Sequence, residues 1–293
     1  KYEPTFIGFD QDVAVYSYYV PNATTPSNYD IYVLADDKIY TPKDSTGLFR
    51  GMTSLTKVDT ANMDVSRTEI MSNMFRDCSQ LTSLGVSCWD VSNVTKMNSV
   101  FENCSNINIL DVSEWEVDNV KDMSWMFYAC GNIANLNVSN WKVNNVETFQ
   151  RTFSGCKKIP STIGVEQWQP TSAKNMLWMF CECENFTELD LSGWDVSTVE
   201  QTGAMFEKCI TLKKLNVSTW NVSNVYEMGV MFRRCEVLEE IDLSGWKTDS
   251  LLRTNYMFEN CYKLKNIRFG DGWNMSKTIK TYAMFNNCKA LTS

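Results

Sequence analysis

The hydrophobic positions of this chain recur with a fixed long period. Taking one Phe as the zero of each repeat, the column runs Phe49, Phe75, Phe101, Phe127, Phe153, Phe180, Phe206, Phe232, Phe258, Phe285, with seven gaps of 26 residues and two of 27. Three residues on stands Cys, from Cys78 to Cys288, and six residues on an aliphatic or Phe, such as Leu81, Ile107 or Phe186. A short in-out alternation follows, as in Leu84-Gly85-Val86-Ser87 and Leu189-Asp190-Leu191-Ser192, which predicts a brief strand with Leu and Val inward. Then comes Trp, twelve residues before the next Phe (Trp89, Trp115, Trp141, Trp168, Trp194, Trp220, Trp246, Trp273), and a return leg through Val91 and Val94 to Met97. No single unit of this size can bury a Phe, a Cys, a Trp and several aliphatics alone. Stacking buries each column against its own copies, so the period predicts a parallel solenoid of about ten coils. Both extra residues fall between Phe and the following Trp, at Pro160-Ser161-Thr162-Ile163 and Gly270-Asp271-Gly272, which read as loops.

Residues 1–47 lack the period and are rich in Tyr. Asp30-Ile31-Tyr32-Val33-Leu34 and Lys38-Ile39-Tyr40, flanking Ala35-Asp36-Asp37, predict a hairpin. An open solenoid end exposes core, so residues 1–47 are assigned as a β-rich N-terminal cap and 48–293 as the array. The last residues fall inside a repeat, and the array is expected to continue beyond Ser293.

Charge narrows the function. There are 27 basic against 35 acidic residues, a net charge of −8 and a pI of about 4.8. Nucleic-acid binders need a basic face, so this balance argues against them and against anionic membranes. No apolar run is long enough to span a bilayer. The sequence holds no His, which removes His-based nucleophile systems, general bases and metal sites.

Nine of the 11 cysteines share one column. Neighbouring copies ~4.8 Å apart lie beyond the usual disulfide Cβ separation, and Cys-x-x-Cys zinc spacing is absent, so a column of buried free thiols is expected. Cys88 and Cys181 fall off the column and are expected to be exposed. The outward strand position carries Asp111, Asn137, Asp190, Asn216 and Asp242. Their alternation relieves like-charge repulsion and makes them the first candidate contacts. A cation-binding carboxylate row is the rival to a hydrated polar ladder. Trp125 and Trp178 stand two residues before Phe, where other coils have mostly small residues. They are read as exposed binding anchors, with local packing the alternative. Eight sequons, at Asn22, Asn93, Asn103, Asn137, Asn185, Asn216, Asn221 and Asn274, would carry N-glycans in a secreted eukaryotic protein and mean nothing in a bacterial one.

Segments such as Met126-Phe127-Tyr128-Ala129-Cys130, Leu189-Asp190-Leu191-Ser192-Gly193-Trp194-Asp195-Val196-Ser197 and Val225-Tyr226-Glu227-Met228 resemble the repeat of BspA-like leucine-rich-repeat surface proteins, a group that includes the lipoprotein repeats of mycoplasmas. The likeness covers about residues 30–293. It departs at Met52, Pro170, Thr202, Thr254 and Thr281. The resemblance implies a leucine-rich-repeat-like fold and an extracellular, cell-surface protein, not an enzyme, that needs no cofactor or metal. The expected role is adhesion or recognition of an extracellular protein or glycan through the solenoid face. The alternative is a structural subunit of an extracellular coat or filament, glycosylated if its sequons are used, with neighbouring copies as partners.

Overall fold

The structure is a computed structural model of the 293-residue chain and describes residues 5–6, 15–22, 29–35 and 38–292. Among these there is no α-helix, only two 3-10 turns, Ser161–Ile163 and Val165–Gln167. Near the N-terminus β1 (Thr5–Phe6), β2 (Val15–Pro21) and β3 (Tyr29–Ala35) form an antiparallel sheet in that order. The expected pairing of residues 30–34 with 38–40 does not form. β3 pairs instead with β2, while β4 (Ile39–Tyr40) runs parallel to β5 (Met63–Asp64). The reason is the repeat itself: Ile39 and Tyr40 stand in register with Met63 and Asp64 and join the stack.

From β4 onward the fold is a β-rich repeat in which every strand pairing between coils is parallel. β6 (Ser83–Leu84) pairs with β7 (Ile109–Leu110), β8 (Glu188–Asp190) with β9 (Lys214–Asn216), and β10 (Glu240–Leu243) with β11 (Asn266–Phe269). On a second edge, nine parallel bridges run unbroken from Asp44↔Ile70 to Arg253↔Lys280. The strands are short because each coil spends most of its length turning.

The segment around Phe has its own hydrogen-bond geometry. N–H groups of alternate residues donate to the next coil: Met71, Asn73, Phe75 and Asp77 to the carbonyls of Lys96, Asn98, Val100 and Glu102. Four such bonds, 2.7–3.1 Å long, recur at each of nine interfaces, and all point the same way. The intervening N–H groups turn back within the coil, as Met74 to Met71 and Cys78 to Phe75. This ribbon requires a left-handed backbone two residues before and two after each Phe. All ten coils adopt it, from Gly47 and Gly51 through Asn73 and Asp77 to Ala283 and Asn287. For a residue other than Gly that conformation costs roughly 1–2 kcal/mol, so the ladder holds it in place.

The columns lie where the period predicts. Phe75 to Phe258, Cys78 to Cys261 and Leu81 to Leu264 are buried, and Trp115, Trp141 and Trp220 are at most 2% exposed. Successive Phe rings stack at 4.9–5.9 Å between centroids and successive Trp rings at 6.1–6.5 Å. Six of the eight column indoles also reach back one coil. Trp115 Nε1 donates to the Val86 carbonyl and Trp141 Nε1 to that of Val112, and four further indoles do the same at 2.8–2.9 Å. The first insertion is absorbed by the two 3-10 turns, joined at Gly164. Its φ is 95°, and a side chain there would place its Cβ 2.5 Å from Ser139 Cβ, so only glycine fits.

Trp141→Ala removes one ring from a continuous stack and one of the two donors to the Val112 carbonyl, which keeps the Trp115 N–H. We expect a loss of about 3–5 kcal/mol, measurable by urea unfolding.

Candidate binding surfaces

Two places in the fold gather polar or aromatic side chains that repeat-building alone does not require. The first is the outward face of the strands. Asp111, Asn137, Asp190 and Asn216 are exposed there and Asp242 is half-buried. Each side chain first serves its own turn. Asp111 Oδ1 accepts the Ser113 N–H at 3.1 Å and the Ser113 hydroxyl at 2.8 Å, and Asp190 holds Ser192 likewise at 3.0 and 2.6 Å. Asn137, Asn216 and Asp242 accept from Ser139, Ser218 and Ser244. Asp and Asn interchange in this row because either supplies the side-chain oxygen that closes an Asx turn. Hydrogen bonds from these serines hold the carboxyls of Asp111, Asp190 and Asp242 below the usual Asp range.

Along β8–β11 this face forms a recess of about 630 Å³. Asp190, Asn216, Asp242 and Arg268 line one side of it and Glu188, Lys214, Glu240 and Asn266 the other. Charges of both signs meet there, with Lys214 3.0 Å from Glu188 and Arg268 3.7 Å from Asp242. Such a surface can offer donors and acceptors to a polar ligand. Among the described residues no group of three or more Cys, Asp or Glu is placed to hold a metal ion.

The second place involves Trp125 and Trp178, expected from the sequence to be exposed. Both are half-buried, because a residue without any distinguishing mark in the sequence, Arg151, lies between them. The Arg151 guanidinium sits 4.6 Å from the Trp125 ring and 4.5 Å from that of Trp178, with Tyr128 at 5.6 Å. Trp125 also meets Tyr128 edge-on at 4.8 Å. The signal was present in the register: 125, 151 and 178 all stand two before Phe, so they occupy one column in three successive coils.

The column thiols are free, and all but the half-buried Cys288 are buried. Each thiol donates to the carbonyl of the preceding coil's Phe, from Cys78 to Phe49 through Cys288 to Phe258, at 3.0–3.3 Å. Burial pushes the thiols up, Cys78 to about 11 and Cys130 further. Of the two cysteines expected at the surface, Cys88 is exposed but Cys181 is 7% exposed. Cys181 follows Phe directly, a position filled by paired Glu or Arg in several coils. The Glu207 carboxylate lies 4.0 Å from its sulfur, and burial pushes this thiol up to about 12.

The sequon asparagines are exposed or half-buried. Asn93, Asn103 and Asn185 use their amide nitrogens within the stack, donating to Ser66, Asp77 and Lys158. Asn274 closes a turn with Ser276, as Asn221 does with Ser223. Asn22 is half-buried.

These features define a repeat protein with a polar recess on its strand face and an arginine held between two indoles. The chain belongs to the family described as "Mycoplasma protein of unknown function, DUF285", whose model matches residues 43–168, 131–215 and 174–293. Among solved structures it is similar to a leucine rich cell surface protein from Faecalibacterium prausnitzii A2-165, at 14% identity and a TM-score of 0.31, over 99% of this chain and 94% of that one. It is also similar to the plant peptide hormone receptor RGFR1 in complex with RGF2, at 12% identity and a TM-score of 0.27, over 94% of this chain and 51% of that one. No curated protein matches. Among the described residues no helix is long and apolar enough to cross a membrane.

Two measurements follow from this chemistry. A thiol reagent is expected to label Cys88 at once in the native protein, the half-buried Cys288 slowly, and the other nine only after denaturation. Acid stability has a defined sign. Asp111, Asp190 and Asp242 have native pKa values below the unfolded value of about 3.9, so their contribution is present above that value and fades as pH falls through the native ones. The melting temperature is therefore expected to be flat with respect to these groups from neutral pH to about 5 and to fall below about 4. Asp111→Asn, which keeps the turn acceptor, is expected to reduce the acid dependence.

Proposed function

We propose that this chain is a non-enzymatic recognition module displayed outside the cell, and that its coils form one parallel solenoid whose strand face binds an extracellular protein or glycan. Residues 1–47 act as the N-terminal cap in this reading. The observation that carries it is the β8–β11 recess, where four adjacent coils bring Asp190, Asn216, Asp242 and Arg268 into one polar surface. Contacts repeated on successive coils add by avidity, so individually weak ones suffice. Against catalysis stand the lack of His in the sequence and the burial of the column thiols, whose raised pKa values keep them protonated and unreactive.

The test separates binding from folding. Asp190→Asn with Asp242→Asn removes two charges and leaves both Asx turns closed, as Asn137 and Asn216 already do. Attachment of the purified chain to host cells or extracellular matrix is expected to weaken by about five- to thirtyfold, two contacts of up to ~1 kcal/mol each, while the chain stays folded and melts cooperatively. Adding Asn216→Lys is expected to abolish it. Full attachment by the folded triple variant removes this face as the binding surface, and turnover of a polysaccharide panel by the wild type overturns the non-enzymatic reading.

A further inference from the structure

The Arg151 site stands in a different segment of the coil from the strand face and has properties that structural packing leaves unexplained. Most arginines of the stack meet a carboxylate: Arg76 pairs with Glu102, Arg233 with Glu207, Arg234 with Glu236, Arg253 with Glu227 and Arg268 with Asp242. Among the described residues no carboxylate lies within ion-pair reach of Arg151, in a chain with an acidic excess. Its Nε is buried without a hydrogen-bond partner. A buried guanidinium N–H left unpaired costs stability, while the outer nitrogens of this half-buried side chain stay within reach of an acceptor brought from outside.

The surroundings specify the acceptor. With Arg151 stacked against their faces, Trp125 and Trp178 flank it, and indole edges carry the positive side of the ring quadrupole. A planar guanidinium held rigidly between rings suits a planar carboxylate. The backbone here has nothing for an extended peptide, since the N–H groups of Trp125, Arg151 and Trp178 already donate to Gln150, Leu177 and Gly203. Recognition must run through side chains: one guanidinium, two indoles and a phenol. That set matches a pyranose, which brings apolar C–H faces for aromatic rings and hydroxyls for indole N–H and phenol groups. We propose that Arg151, clamped between Trp125 and Trp178, anchors a binding site for a carboxylate-bearing sugar, a uronic acid residue of an acidic glycan.

Calorimetric titration of the whole chain with methyl β-glucuronide, methyl β-glucoside and N-acetylglutamate methylamide tests this. The glucuronide is expected to bind saturably and about tenfold or more tighter than either comparator, since the neutral sugar leaves the guanidinium unpaired and the peptide mimic lacks the ring. Arg151→Gln is expected to weaken glucuronide binding by about tenfold or more with unchanged circular dichroism, and Arg151→Lys, which keeps the charge but not the fork, by a smaller factor. No saturable glucuronide binding, or equal binding of the glucoside, overturns the site. So does undiminished binding by folded Arg151→Gln. Equal binding of the acetylglutamate overturns its assignment to a sugar. Should Arg151→Gln unfold, the comparison of ligands on the wild type and the Arg151→Lys variant decide.

Discussion

The one-way ladder of backbone bonds beside the Phe column sets the terms for the rest of this fold. Four N–H groups of each coil donate forward to the next, and two residues per coil must be left-handed for them to do so. The side-chain columns then stitch in the reverse direction. Each Cys thiol and most column indoles donate backward to a carbonyl of the preceding coil. Every interface is therefore tied both ways, by backbone forward and by side chain back, around a stack of rings. Trp89 departs from this pattern, since its buried indole N–H has no partner.

The two-way stitching explains the residue types. Cys is small enough for a column at coil spacing, apolar enough to be buried, and still carries a donor that reaches the Phe carbonyl. Trp is the largest side chain of the core and has one N–H, which in most coils reaches a carbonyl of the preceding coil. Thr202, standing where Met is usual, places its hydroxyl 3.3 Å from the Glu227 carbonyl, whereas that of Thr254 stays unpaired.

The period, the columns and their burial were legible in the sequence because burial is what selects residues at those positions. Four things were not. The left-handed pairs leave little trace, since the positions hold Asn, Ser, Trp, Arg, Ala and even Val230 at φ 54°; the ladder overrides local preference. Cys181 looked exposed because its column is polar, but charged neighbours can cover a thiol and exclude water from it. Trp125 and Trp178 resemble free anchors when taken as interruptions of one-dimensional order. Down the column they bracket Arg151, and the same register that predicts the core also assembles this site. The strand face was legible as a row, but not the Asx turns that already occupy one oxygen of each side chain.

The direction of the ladder has an electrical consequence. In the strands, bonds between coils alternate in the usual parallel fashion, and Thr82 and Asn108 donate backward to Thr56 and Thr82. Along the Phe edge, by contrast, the ladder's N–H groups all face the C-terminal end and its carbonyls the N-terminal end, at nine successive interfaces. Aligned peptide dipoles add, as they do in a helix. Here the positive pole lies toward the C-terminus, the reverse of the α-helical arrangement, so the backbone alone gives the stack an electrical head and tail that no charged side chain encodes.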